Sequence, residues 1–109
     1  MATMLSFIAT DAAVAKDFLE ITLKEVADMS YNMLTVDGDS STNDTVLVLA
    51  NGMAGNTPIS AGSPDAETFK AALMEVAVYL TRELARDGEG ASHLITVEVA
   101  GAQDTNDAR

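Results

Sequence analysis

The sequence predicts an α/β fold, a sheet layered against flanking helices. Short apolar runs rich in β-branched residues alternate with longer segments of helical periodicity. Polar turns rich in glycine and proline separate them. With 48% hydrophobic residues the chain has enough apolar side chain to pack, and with 5% aromatics that core is made of Ala, Val, Leu, Ile and Met. At 109 residues it holds one domain or one domain-sized piece.

Met4 to Ala9 is a short apolar stretch ending at Thr10-Asp11, and its length suits a buried strand. Val14 to Asn32 reads as a helix. Leu19, Leu23, Val26 and Met33 recur at helical spacing, and Lys16, Glu20, Lys24 and Glu25 take other positions. Leu34 to Asp37 is expected to be a brief strand.

Asp37 to Thr45 is an unbroken run of small or polar residues, a loop whose side chains can bond their own backbone. Val46 to Ala50 favours a strand because Val46 and Val48 are β-branched, and a short buried helix capped by Asp44 is the competing reading.

Asn51 to Pro64 holds glycines and prolines at loop density. Ser63-Pro64 is a helix start, and from Asp65 the residues Phe69, Leu73, Val76, Leu80 and Leu84 form one apolar stripe. Asp65 and Glu67 at one end, with Arg82 and Arg86 at the other, match the helix dipole. Asp87-Gly88-Glu89-Gly90 ends that helix. His93 to Ala100 alternates, with Ile95, Val97 and Val99 on one face, and is expected to be a strand. The polar tail from Gln103 has the character of a further helix cap. The methionines Met1, Met4, Met29, Met33, Met53 and Met74 are expected in or near the core.

Charge and composition exclude several functions. Seventeen acidic residues face six basic ones, a formal charge of −11, which disfavours nucleic acid and anionic membrane as partners. No cysteine is present, so disulfides, thiolate metal sites and cysteine nucleophiles are excluded within these residues. One histidine and scattered carboxylates make no metal centre, so no metal or bound cofactor is expected. The first residues lack the basic and apolar regions of a signal peptide, and no apolar run approaches the ~20 residues that span a bilayer. A cytoplasmic location is the expectation.

Four blocks carry a family resemblance. They are Met1 to Ala12, which reads Met-Ala-Thr-Met-Leu-Ser-Phe-Ile-Ala-Thr-Asp-Ala; Thr35 to Val46; Asn51-Gly52; and Gly88-Glu89-Gly90-Ala91. In these blocks, and along the whole chain, the sequence resembles the bifunctional ornithine acetyltransferase (glutamate N-acetyltransferase) family of arginine biosynthesis.

The resemblance implies a precursor that cuts itself between Ala2 and Thr3. The chain would then be the N-terminal part of a β chain, and only part of a layered fold similar to that of the DmpA-type aminopeptidases. Thr3 would be catalytic and substrate-binding, and Glu89 would bind the substrate's ammonium group. The reaction implied moves acetyl from N2-acetylornithine to glutamate through an acetyl-threonine, with acetyl-CoA as a further donor in some members. The implied partners are the upstream α chain and the missing C-terminal part, in a heterotetramer of two α and two β chains. The family's oxyanion donors, a Thr-Gly pair, belong to the upstream chain. So do a substrate-binding lysine and threonine, and an asparagine and Ser/Thr come from the C-terminal part. Little acetyl transfer is therefore expected from these residues alone. The Asp39 to Asp44 loop is expected to support the junction without direct chemistry. His93 stands where members of the family often have lysine.

The physical chemistry of Thr3 fits that role. A hydroxyl is a poor nucleophile until a base takes its proton. Attack of Thr3 Oγ1 on the Ala2 carbonyl, followed by hydrolysis, would leave Thr3 with a free α-amine. That amine, of reference pKa about 8, is a base on the same residue. Two other functions fit less of the pattern. A related autoprocessed aminopeptidase or amidohydrolase would pass the acyl group to water, and a catalytically silent truncated relative would keep Met1-Ala2-Thr3 intact.

Overall fold

A computed structural model describes residues 3–104 and 106–108. Its elements run in the order β1 (Leu5–Thr10), α1 (Lys16–Asp28), a 3-10 turn (Tyr31–Met33), β2 (Thr45–Ala50) and α2 (Ala66–Arg86). The two strands pair in parallel, from Leu5 opposite Thr45 to Thr10 opposite Ala50. Parallel neighbours need a crossover, and α1 with its following loop supplies it.

Both helices lie on one face of this sheet. Val26, Tyr31, Leu73 and Ala77 form the buried centre, and Ile8, Val46, Val48, Phe69, Leu80 and Leu84 pack around them. Along each strand, alternate side chains therefore point to the helices. Ser6 and Ile8 of β1 and Val46 and Val48 of β2 turn inward, while Leu5, Phe7, Leu47 and Leu49 are exposed on the opposite face. The expected α/β layering is present as one sheet layer and one helix layer.

Val46 to Ala50 is a strand, not the competing helix. Its backbone pairs with β1, and its β-branched residues fit that surface.

The long first helix is shorter than its periodicity suggests, and runs from Lys16 to Asp28. The Ser30 hydroxyl donates to the Val26 carbonyl at 2.6 Å and takes the acceptor that a continuing helix would use. The chain then turns through Tyr31–Met33, which seats Tyr31 in the core and leaves Met33 exposed.

Leu34 to Asp37 is not a strand. Among the described residues no strand pairs with it, and local bonds take over. The Thr35 hydroxyl accepts from Gly38 N at 3.2 Å, and the Asp37 carboxylate accepts from Asp39 N at 3.0 Å.

His93 to Ala100 is not a strand either. The described sheet consists of β1 and β2, and Ile95 and Val97 are 80% and 81% exposed. Alternation marks a segment that can pair, but a strand forms only where a partner edge is present.

The start of α2 is displaced by two residues from the Ser63-Pro64 signal. Ala66 N donates to the Ser63 carbonyl in a preceding turn, and Asp65 holds the cap position without a side-chain cap bond. The expected stripe of α2 faces the core at Phe69, Leu73, Leu80 and Leu84 and departs from its line at Val76 alone. Ala77 is fully buried (0% exposed) and Val76 is 43% exposed, so the small alanine is what allows α1 close to α2. Of the methionines, Met4 and Met74 pack on the core, whereas Met29, Met33 and Met53 are exposed. Met1 lies outside the described residues.

The glycine-rich connection from Asn51 to Pro64 is pinned at Ile59, which bridges to Val14. Asn56 ties the same stretch to Ala13, accepting from its N–H at 2.8 Å and donating to its carbonyl at 3.1 Å. In the tail, the Asp104 carboxylate accepts from Asn106 N and Asp107 N at 2.8 and 3.0 Å, the bonding of a helix cap. No helix among the described residues is long and apolar enough to cross a membrane.

Candidate active site

Thr3 stands two residues before β1 and is exposed. Its position follows from the pairing of the strands. Thr45 N donates to the Met4 carbonyl at 2.9 Å, extending the ladder one step beyond β1. On the other side of the same residue, Met4 N donates to the Asp44 carboxylate at 2.8 Å. Met4 is thus held from both ends, by Asp44 of the loop and by Thr45, the first residue of β2. Thr3 Oγ1 then lies 3.4 Å from Ser41 Oγ. Ala2, the other half of the expected cleavage site, lies outside the described residues.

The loop that receives Thr3 is internally ordered. Ser41 Oγ accepts from Asn43 N at 3.2 Å, and the Thr45 hydroxyl donates to the Asn43 carbonyl at 3.0 Å. Gly38 takes a positive φ of 78°, a conformation open to glycine, and lets the chain reverse before Ser40.

Glu89 is exposed in the turn that follows α2, between Gly88 and Gly90. Gly88 explains part of that turn's placement. A Cβ built on it would come within 3.0 Å of Val36 Cγ1, so the absence of a side chain lets the turn sit against Val36. The second and fourth sequence blocks therefore meet at Val36 and Gly88, as the first and second meet at Thr3 and Ser41. No hydrogen bond among the described residues joins Thr3 to Glu89. Asn51-Gly52 lies at the other end of the strands, where Asn51 N donates to the Thr10 carbonyl at 3.2 Å.

Between β1 and the end of α2 runs an open groove of about 510 Å³, lined by Ser6, Phe7, Leu80, Glu83, Arg86 and Asp87 among others. Beneath it, the Ser6 and Tyr31 hydroxyls form a buried hydrogen bond of 2.7 Å. It ties β1 to the turn after α1. Among the described residues, no group of three or more histidine, aspartate or glutamate side chains is placed to hold a metal ion. His93 is exposed and shares its Nδ1 with the neighbouring Ser92 hydroxyl at 2.8 Å.

The contact of Ser41 with Thr3 and that of Asp44 with Met4 are not legible in the sequence. Ser40, Ser41 and Thr42 are chemically alike, and nothing in their order singles out the one whose hydroxyl reaches Thr3. The one local signal is the density of short polar side chains in the loop.

Residues 1–109 match the ArgJ family. The arginine biosynthesis bifunctional protein ArgJ of Symbiobacterium thermophilum is 57% identical over 109 residues, which cover 100% of this chain and 27% of that protein. The protein of the same name in Dehalococcoides mccartyi is 51% identical over 109 residues, with the same coverage of 100% and 27%. Among solved structures, the crystal structure of the arginine biosynthesis bifunctional protein argJ from Bacillus halodurans is 43% identical. It superposes with a TM-score of 0.79, over 83% of this chain and 42% of that one. The chain thus spans about a quarter of the length of these curated relatives.

Proposed function

This chain belongs to the ArgJ family, and on that membership we propose that it carries the nucleophile of an N-terminal-threonine acetyltransferase in arginine biosynthesis. The observation that carries the proposal is the place of Thr3: exposed, at the head of β1, with its hydroxyl against the ordered loop that leads into β2. A nucleophile must be reachable by substrate and held on a rigid element, and this position meets both needs.

In the precursor, Thr3 Oγ1 attacks the Ala2 carbonyl and the acyl group moves from nitrogen to oxygen. That shift breaks the Ala2–Thr3 C–N bond and frees the Thr3 amine, and water then hydrolyses the ester, releasing the Ala2 carboxylate and restoring the Thr3 hydroxyl. In the mature enzyme that amine accepts the hydroxyl proton as Oγ1 attacks the acetyl carbonyl of N2-acetylornithine. The tetrahedral intermediate collapses, the proton passes to the leaving amine, and ornithine departs. The glutamate amine attacks the acetyl-threonine ester, Oγ1 leaves with its proton restored, and N-acetylglutamate forms. Acetyl-CoA is a further acetyl donor in the same scheme. Glu89, exposed on its turn, holds a substrate ammonium through a charge-assisted hydrogen bond.

The partners are the upstream α chain, which supplies the oxyanion donors, and the C-terminal remainder of the β chain. They assemble as two α and two β chains in the cytoplasm. Support for such partners comes from the exposed apolar face of the sheet and from the 27% share of the relatives that the chain covers.

Intact mass and N-terminal sequencing of the full-length protein test this reading, beside its Thr3→Ala variant. The expected result is a chain beginning at Thr3 in the parent protein and an uncut precursor in the variant. A Thr3→Ala precursor that is still cut before residue 3 would remove Thr3 from the mechanism.

A further inference from the structure

We infer that Ser41 and Asp44 are positioning residues for Thr3: Ser41 sets the direction of its hydroxyl, and Asp44 sets the peptide plane behind it. The inference rests on the assignment of Thr3 as the nucleophile made above.

Asp44 acts first in the geometry. Its carboxylate accepts from Met4 N at 2.8 Å, and that N–H belongs to the peptide joining Thr3 to Met4. The next peptide is held by the bond from Thr45 N to the Met4 carbonyl at 2.9 Å. With both planes fixed, Thr3 Cα is fixed as well. The freedom left to the hydroxyl is rotation about Cα–Cβ, which a β-branched side chain already restricts to a few rotamers.

Ser41 selects among those rotamers. Its Oγ accepts from Asn43 N at 3.2 Å, so one lone pair is occupied and the side chain is oriented. Its own hydrogen is then free to point at Thr3 Oγ1, 3.4 Å away. That separation is longer than the usual O–H···O bond of about 2.5–3.0 Å, and catalytic contacts commonly shorten when substrate closes the site. With Ser41 donating, the hydrogen of Thr3 stays directed to the base. The same donor supports the charge that develops on Oγ1 as its proton leaves, and again when Oγ1 is expelled from the acetyl ester.

The experiment uses the full-length protein with Ser41→Ala, Ser41→Thr, Asp44→Ala and Asp44→Asn. Precursor cleavage is followed as a first-order rate, and acetyl transfer as kcat and KM, with Tm recorded for each. Expected for Ser41→Ala is a loss of about tenfold or more in both the cleavage rate and kcat, with KM and Tm unchanged. Ser41→Thr restores most of the rate because it keeps the hydroxyl. Asp44→Asn keeps an oxygen acceptor for Met4 N and stays within about threefold of the parent, whereas Asp44→Ala loses about tenfold.

If Ser41→Ala precipitates, Ser41→Cys gives the same comparison with a weak donor of similar shape. Parent rates in both alanine variants overturn the inference, as does a loss that follows Tm and is not rescued by threonine. Thr3→Ala separates the two ideas. A cut Thr3→Ala precursor sinks the nucleophile itself, while an uncut one beside a fully active Ser41→Ala sinks positioning alone.

Discussion

A single buried hydroxyl pair shows how polar chemistry is kept inside this small core. Ser6 and Tyr31 are both buried, and each is the other's partner at 2.7 Å. Tyr31→Phe removes one half and leaves the Ser6 hydroxyl with no bond, which costs about 1–2 kcal/mol. Ser6→Ala alone does the reverse to Tyr31. The double variant removes both hydroxyls, so it is expected to lose less than the sum of the two single changes. Urea unfolding of the four proteins measures this, and strict additivity would show that the bond contributes nothing. Neither residue stands out in the sequence: a serine in an apolar run and a tyrosine after a helix have no pattern that pairs them across 25 positions. Thr3 and Glu89 are different, since both sit in recognisable blocks. What those blocks do not single out is which of their side chains faces Thr3.

At the scale of elements, the helix layer depends on which side of α2 meets α1. Leu73 and Ala77 are buried between the helices, whereas Val76 faces out. In the 109-residue chain, Leu73→Ala is expected to cost about 2–4 kcal/mol through lost burial and a residual cavity. Val76→Ala is expected to stay within about 0.5 kcal/mol. Equal losses would mean that the stripe runs through Val76, as its periodicity suggests. Periodicity places the stripe at Phe69, Leu73, Leu80 and Leu84 and errs only in taking Val76 over Ala77, because alanine carries little hydrophobic signal even where it is buried.

Lys70 and Glu25 add an ion pair between the two helices. The hydrogen bond from Lys70 to Glu25 raises the lysine above its ordinary pKa. Its contribution is therefore complete below the ordinary lysine range and fades as pH rises through the raised value. Both side chains are substantially solvated, so the pair is small and sensitive to salt. The helices and the two paired strands are readable from sequence because each carries its own signal over many residues. Leu34 to Asp37 and His93 to Ala100 are misread for a shared reason: strand character in a sequence is local, and strand formation depends on a neighbouring edge.

The whole molecule has two sides of opposite character. Helices cover one face of the sheet. The other exposes Leu5, Phe7, Leu47 and Leu49, with Phe7 at 63% and Leu49 at 58%. These four residues alternate along adjacent strands and form one contiguous patch, the kind that soluble proteins cover. The 109-residue chain on its own is expected to self-associate through this patch, despite a formal charge of −11. Replacing Phe7 and Leu49 by lysine is expected to weaken that association. Sedimentation velocity over a range of concentrations decides it, and a chain that stays monomeric throughout would show that the patch is tolerated by solvent.

The loop from residue 37 to residue 44 is fastened at both ends, by Val36 against Gly88 and by Asp44 against Met4. Beyond Asp44 the register of β2 is already set, with Thr45 opposite Leu5. A single inserted or deleted residue changes the span between the two fastenings. Such a change is expected to shift Ser41 relative to Thr3, since the register of β2 is kept by the inward place of Val46 and Val48. The span between the two fastenings thus behaves as a fixed ruler. Apart from Ser41 and Asp44, which touch Thr3 and Met4, amino-acid identities along it can drift with little consequence, while a change in their number is felt at the head of β1.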